Sequence, residues 1–297
     1  VIKSNTEEDL KEVKNQYNEK RFIDLHTHST ASDGSMSPAE LVRHAKEKGL
    51  SAIALTDHDT IDGVAEALEE GLRTGIEVIP GIEISADFKP EMHILGYFPN
   101  INGYTAIRKE LDAIKQGREV RNIKIINKLN ELGIDIKLED VKEVALGDIL
   151  GRPHIARVLL NKGYVKSIDE AFDKYLSKGG LAYFKRFELK PKDCIFAIKN
   201  AGGIPVLAHP VFLRKTYAEL DMLLAELKEF GLMGIEAVYS ENSENDTGNF
   251  LRLAIKHDLI VTGGSDFHGS FKPGLELGSG RGKLQVPYEY LEKLRKA

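Results

Sequence analysis

The chain has 297 residues, 42% apolar and 29% charged, with no run of about 18 apolar residues. That composition excludes a disordered chain and a transmembrane helix, and it leaves length for one large or two modest domains. The net charge of −5 argues against broad non-specific nucleic-acid binding.

Val1–Lys20 is polar and acidic, without the apolar stretch of a signal peptide, and the lone cysteine, Cys194, cannot close an internal disulfide. Both features point to a cytoplasmic protein with no membrane attachment, and no obligate protein partner is evident in the sequence. From Arg21 onward, short apolar runs alternate with amphipathic stretches. The runs Phe22–His26, Ala52–Thr56, Glu77–Ile84 and Met92–Phe98 read as strands, as do Ile204–Ala208, Ile235–Tyr239 and Leu259–Thr262. Most are rich in Val, Ile and Leu without clean polar alternation, the pattern of parallel strands covered on both faces.

Helical patterns lie between them. The clearest opens with Ser37-Pro38-Ala39-Glu40, an N-cap, a first-position proline and a capping-box glutamate, and stops at Gly49. Others span Gly63–Arg73, Pro191–Asn200, Tyr217–Phe230 and Gly248–His257. Repeated βα units of this kind predict a parallel barrel or a doubly wound sheet.

The stretch from Asn100 to Lys190 breaks the rhythm. Apolar residues recur at helical spacing through Tyr104–Leu132 (Ile107, Leu111, Ile114, Ile123, Ile126, Leu129), and shorter helices follow at Leu138–Val144, His154–Lys162 and Ser167–Ser177. This stretch carries 18 Lys/Arg against 13 Asp/Glu, a net of +5, so the remainder carries −10. We therefore read 1–20 as a polar extension, 21–99 with 191–297 as an α/β domain, and 100–190 as an all-α insertion. A basic insertion in an acidic protein suggests an anionic ligand held between the two.

Six histidines, His26, His28, His58, His93, His209 and His268, fall within or just beyond the C-terminal end of a predicted strand, the edge where α/β folds build sites. His26 and His28 are two apart, so strand periodicity places both imidazoles on one face, with Asp24 on the same face. Asp266 and His268 repeat that spacing, while Asp33 and Glu83 stand at neighbouring strand ends. Buried imidazoles and carboxylates need partners, so packing is a poor explanation for the set; without cysteine ligands it suits zinc, manganese or iron. His44 and His257 lie on predicted helices and read as ordinary polar residues.

The string Asp24-Leu25-His26-Thr27-His28-Ser29, then Ser32-Asp33-Gly34 and Leu55-Thr56-Asp57-His58-Asp59-Thr60, resembles the PHP (polymerase and histidinol phosphatase) family. Pro80-Gly81-Ile82-Glu83, Ala208-His209-Pro210 and Gly264-Ser265-Asp266-Phe267-His268 match in order. Gly151-Arg152-Pro153-His154 resembles one branch, which includes nucleoside 3′,5′-bisphosphate phosphatases and 5′→3′ exoribonucleases acting on short RNA. The resemblance implies a distorted seven-stranded (βα) TIM-like barrel, the PHP fold, with two to three divalent ions (Mn²⁺, Zn²⁺ or Fe²⁺) at its C-terminal mouth. One ion would take His26, His28, Glu83 and Asp266. A second would share Glu83 and add His93 and His209; a third would take Asp33, His58 and His268. Asp24 would orient a ligand imidazole and Asp57 would support the site from behind. Arg152 and His154 stand where the branch holds substrate phosphate, and Lys178, Lys185 and Arg186 form a second basic cluster around Gly179-Gly180.

The chemistry implied is hydrolysis of phosphate esters by metal-activated hydroxide, with an unligated His154 as the candidate to protonate the leaving oxygen. No Walker motif and no Gly-x-Ser-x-Gly elbow occurs, which argues against an NTPase or a serine hydrolase. A phosphatase of nucleoside 3′,5′-bisphosphate-type nucleotides, a 5′→3′ exonuclease on short RNA or DNA, and a metal-stabilised module without turnover remain the three readings. The intact ligand positions count against the last.

Overall fold

The computed structural model describes residues 21–100, 103–145, 150–185 and 187–297, so the extension expected over Val1–Lys20 lies outside them. Every apolar run picked out in the sequence forms a strand: β1 Phe22–Thr27, β2 Ala52–Leu55, β3 Glu77–Ala86, β4 Met92–Tyr97, β5 Ile204–Leu207, β6 Gly234–Tyr239 and β7 Ile260–Gly264. A two-residue β8, Val286–Pro287, adds an eighth strand beside β1. The order is β7-β6-β5-β4-β3-β2-β1-β8. Beyond these pairings, β7 leads back onto β1: the Asp266 N–H donates to the His26 carbonyl at 2.8 Å and the His28 N–H to the Phe267 carbonyl at 2.9 Å. The sheet thus curls into a nearly closed barrel. A Cβ at Gly264 would stand 2.4 Å from the His26 Cβ, so a side chain there would force the two strands apart.

One strand runs against expectation. β4 is antiparallel to both β3 and β5. Only residues 87–91 separate β3 from β4, too few for the crossover that a parallel return requires. As a result the start of β4, where His93 stands, lies at the rim on which the parallel strands end. His93 reaches that rim because its strand runs backwards, not because it lies at a C-terminal strand end.

Helix α1 (Pro38–Glu47) has the expected capping box: Ser37 Oγ accepts from the Glu40 N–H at 3.2 Å, and Glu40 accepts from the Ser37 N–H at 2.8 Å. After α2 (Val64–Thr74), every described element between β4 and the helix at Pro191 is helical. These are a 3₁₀ turn Tyr104–Ile107, α3 (Arg108–Glu131), α4 (Leu138–Val144), α5 (Arg152–Asn161), and α6 (Ile168–Ala171) running into a π turn at Phe172–Leu176. They share a small core of their own, in which Ile125, Leu129, Val141, Ile155 and Leu159 are buried. Helices α7 (Pro191–Asn200), α8 (Tyr217–Glu229), α9 (Glu244–Lys256) and α10 (Glu289–Leu294) return to the barrel. Helix α9 starts four residues before Gly248, because Ser243 and Asp246 form a capping box there.

The main core lies between the sheet and its helices, where Ile53, Leu55, Ile82, Ile84 and Ile235 meet Leu41, Val42, Leu224 and Leu253. Burying each such side chain is worth about 1.5–3 kcal/mol, enough to hold the strands whose ends carry the site. No helix among the described residues is long and apolar enough to cross a membrane.

Candidate metal centre at the barrel mouth

Glu83, late on β3, is the point on which the other side chains converge. Its Oε2 lies 3.3 Å from Nε2 of both His26 and His28, and 3.1 Å from His58 Nδ1. Its Oε1 lies 2.8 Å from His93 Nδ1 and 2.9 Å from His209 Nε2. Asp266 closes the His26/His28 side, with Oδ1 at 3.6 and 3.1 Å from the same two Nε2 atoms. Asp33 stands on the far side of His28, 3.3 Å from His268 Nε2 and 3.9 Å from His58 Nε2.

The nine side chains singled out in the sequence are therefore brought together, and their atoms form three overlapping groups. One is His26, His28, Glu83 and Asp266; another is His28, Asp33, His58 and His268; a third is His58, Glu83 and His93. His58 rather than His209 completes the third group, although His209 touches both Glu83 and His93. His44 and His257 lie elsewhere, each paired with a carboxylate on its own.

These residues fit divalent cations. His26 Nε2, both ring nitrogens of His28, His58 Nδ1, His93 Nε2 and Glu83 Oε2 are buried without a hydrogen-bond partner. Six orphaned lone-pair or N–H sites in one place would be destabilising by a kcal/mol or more each, and a cation shared among them removes that penalty.

The charges oppose one another strongly. Burial pushes His58 down to about 3, although Glu83 and Asp33 pull the other way. Burial also disfavours charge on His28 and His93, yet Asp266 and Glu83 hold His28 at about 9, and Glu83 with Glu91 holds His93 at about 10. Against burial, the surrounding imidazoles keep the carboxyls of Glu83 and Asp33 well below the usual range, and Lys272 with His26 does the same for Asp266.

The carboxylate that meets the second ring nitrogen of His26 is not Asp24 but Glu236, in the middle of β6 and fully buried. Its Oε1 lies 3.0 Å from His26 Nδ1, and its Oε2 accepts from the His209 N–H at 2.7 Å. Asp24 instead accepts three backbone N–H groups, from His26, Ser265 and Gly278. The register of β1 on β2 shifts between Asp24 and Thr27, so alternation does not carry Asp24 onto the face of the histidine pair.

Asp57 accepts from the Ser29 N–H and from the hydroxyls of Ser29 and Ser32, fixing the loop that carries His28 and Asp33. Two further neighbours were missed. Tyr239 Oη and Lys272 Nζ donate to Asp266 Oδ2 at 2.8 and 2.6 Å, leaving Oδ1 to face the histidines. The signal for Glu236 was an acid inside the otherwise apolar Gly234–Tyr239; Lys272 follows His268 by four residues in a loop and left no periodic signal.

Backbone strain gathers at the same rim. Asp59, His209 and Asp266 have φ of 54°, 23° and 59°, values that L side chains adopt at a cost of about 1–3 kcal/mol.

Helix α3 reaches this rim through a buried ion pair. Arg118 Nε donates to Asp59 Oδ2 at 2.9 Å, and Asp59 in turn accepts from the Ser85 N–H. His154, buried at the start of α5, accepts from the Gly151 N–H through Nδ1 at 3.0 Å, so its proton resides on Nε2. Burial lowers its pKa despite the nearby Asp33, so near neutral pH the ring donates a hydrogen bond but is not an imidazolium acid. Arg152 is half-buried and donates to the Leu176 carbonyl at 3.3 Å. Lys185 pairs with Asp87, and Lys178 is exposed. Arg186 lies outside the described residues.

The model of the PHP domain matches residues 24–184. The 5′-3′ exoribonuclease of Haemophilus influenzae is 36% identical over 250 residues, 82% of this chain and 89% of that protein. The 3′,5′-nucleoside bisphosphate phosphatase of Chromobacterium violaceum is 31% identical over 258 residues, 86% of this chain and 90% of that one. A crystal structure from Bifidobacterium adolescentis, assigned as a metal-dependent phosphoesterase, superposes with a TM-score of 0.81 at 30% identity, covering 92% of this chain and 95% of the other.

A histidine- and carboxylate-lined barrel mouth with these likenesses defines a metal-dependent hydrolase acting on phosphate esters. The chain belongs to the PHP family.

Proposed function

We propose that the protein removes phosphate from nucleotides of the nucleoside 3′,5′-bisphosphate type, using two to three divalent ions, Mn²⁺, Zn²⁺ or Fe²⁺, in the cytoplasm. The unpartnered ligating atoms around Glu83, lying beneath a helical segment of net positive charge, support this reading most directly. His26, His28, Glu83 and Asp266 would hold one ion, with His58, His93 and His209 beside Glu83 and with Asp33 and His268 holding the others. Cations bound there lower the pKa of water and neutralise charge on phosphoryl oxygens.

The remaining work falls to the chain itself. Residues 21–99 and 191–297 form the barrel that fixes the ligands, and residues 100–190 supply contacts to the substrate. Glu236 keeps the His26 proton on Nδ1 and so leaves Nε2 free to ligate. Asp24 and Asp57 hold the backbone from which the ligands project. His154 Nε2–H donates a hydrogen bond toward a phosphoryl oxygen, and Arg152 grips a phosphate remote from the one cleaved, with Lys178 and Arg186 adding positive charge.

The 5′→3′ exonuclease reading uses the same chemistry and draws support from the likeness to the 5′-3′ exoribonuclease of Haemophilus influenzae. A phosphate-release screen with Mn²⁺ across mononucleotides, bisphosphates and short oligonucleotides, with products sized, tests both. Release from a bisphosphate without shortening of oligonucleotides supports the phosphatase. Stepwise shortening supports the exonuclease, and no release from any phosphorylated nucleotide overturns the proposal.

A further inference from the structure

Outside the metal cluster, one surface combines an exposed aromatic ring with positively charged side chains. It is a groove of about 430 Å³ between α3 and the segment leading into β-bridge residue Leu189, lined by Val120, Arg121, Lys124, Lys185 and Phe187 over Gly117. That volume falls within the range of small-ligand sites. Its described lining holds three cationic side chains and no carboxylate.

Phe187 is 51% exposed and Val120 53%, an exposed ring and a β-branched side chain side by side. A Cβ at residue 117 would stand 2.6 Å from the Phe187 Cβ, so the glycine lets this segment lie directly on the helix with the ring at the surface. Lys124 is exposed at one edge, and Lys185 Nζ is anchored by Asp87 at 2.5 Å on the other.

The helix that lines the groove, α3, also reaches the mouth. Arg118, which pairs with Asp59 beside His58, is three residues before Arg121 and six before Lys124. At 1.5 Å per residue, Lys124 lies about 9 Å along the helix from Arg118. That is the span of roughly two to three stacked nucleotides at 3.4 Å each.

An aromatic face flanked by cations tracks single-stranded nucleic acid, because every base has a face to stack and every linkage a charge to neutralise. We infer that this groove is a second nucleotide subsite, in which Phe187 stacks a base and Lys124 with Lys185 neutralises its phosphate, two to three nucleotides from the one at the mouth. The inference rests on the reading that the mouth takes a phosphorylated nucleotide.

The test is equilibrium binding of 5′-phosphorylated, fluorescein-labelled single strands of two and five nucleotides to the metal-loaded protein. RNA and DNA versions with phosphorothioate linkages are measured by anisotropy across a salt series. Wild-type protein should bind a five-nucleotide strand of at least one sugar type about tenfold or more tightly than the two-nucleotide strand.

Phe187→Ala should abolish most of that gain, since stacking one base is worth roughly 5- to 150-fold. Lys124→Gln, an exposed position that leaves the fold intact, should reduce the slope of log affinity against log salt by about 0.7. Both variants should release phosphate from a nucleoside 3′,5′-bisphosphate at the wild-type rate. Equal affinity for two and five nucleotides, or an unchanged length dependence and salt slope in both variants, would overturn the subsite while leaving phosphatase activity in place. Failure of the wild-type protein to hydrolyse any phosphorylated nucleotide would instead overturn the reading on which it rests.

Discussion

Glu236→Gln is the most informative perturbation, because it changes one charge and almost no volume at a residue that touches no substrate. When His26 ligates through Nε2, Glu236 faces two donors, the His26 Nδ1–H at 3.0 Å and the His209 N–H at 2.7 Å. A carboxylate accepts from both; an amide has one oxygen and must turn its NH₂ toward one of them. In the metal-free variant, where the Glu236 charge no longer holds a proton on Nδ1, His26 can carry its proton on Nε2 and relieve the conflict, but with a cation on Nε2 it cannot. One hydrogen bond to a charged acceptor is worth about 1.5–3 kcal/mol, so cation affinity should fall roughly 10- to 150-fold. The range of about 10- to 100-fold typical of such supporting carboxylates agrees. Chelator-competition titrations with Mn²⁺ or Zn²⁺ measure the affinity directly, with circular dichroism to confirm that the variant is folded. A folded Glu236→Gln protein with wild-type affinity would refute the assignment of Glu236 as the residue that sets the His26 proton.

Glu83→Ala should empty the cluster broadly, since its two oxygens meet five histidines, whereas His58→Ala should leave the His26/His28/Asp266 side loaded; elemental analysis of both proteins decides. Prolonged chelation should abolish phosphate-ester hydrolysis, and activity that survives it in metal-free protein would contradict the site. Loading at pH 7 should release at least two protons, because His28 near 9 and His93 near 10 are protonated without a cation and must be neutral to ligate. Calorimetry in buffers of different ionisation enthalpy would then give buffer-dependent heats, and identical heats would count against it. Arg152→Ala should cost about 10- to 150-fold in kcat/KM on a 3′,5′-bisphosphate and little on p-nitrophenyl phosphate, with metal content unchanged; equal losses would return Arg152 to its bond with the Leu176 carbonyl.

Which parts of this molecule were legible in sequence follows from which forces are local. Strands and helices were readable because apolar runs and caps such as Ser37/Glu40 act within a few residues. The reversal of β4 was not, because it depends on the length of a link rather than on any residue in it. On α3, periodicity assigned Ile123 to the buried face, yet it is 47% exposed while Arg118, Arg121 and Asn122 are buried. The helix packs on two partners, and the face toward the barrel rim is polar, so an apolar period cannot reveal it. The nine side chains of the cluster, Glu83 among them, were legible as a set through their recurrence at strand ends. Glu236 contributes a single acid to one strand, and only the distance to His26 across the barrel gives it meaning.

The pairing of Arg118 with Asp59 gives the charge asymmetry of the sequence a structural sense. Asp59 lies beside His58, is held in a strained backbone conformation, and also accepts from Ser85, two residues past Glu83. A buried pair of this kind is weak evidence of net stability, because desolvation offsets most of its attraction. Losing one partner is a different matter, since it strands a buried charge at about 3–5 kcal/mol. The positive helical segment is therefore tied to the barrel at the loop that carries His58, a residue of two of the three ligand groups. The pair thus fixes where α3 stands relative to the loop that carries His58 and, through Ser85, relative to the end of β3 that carries Glu83.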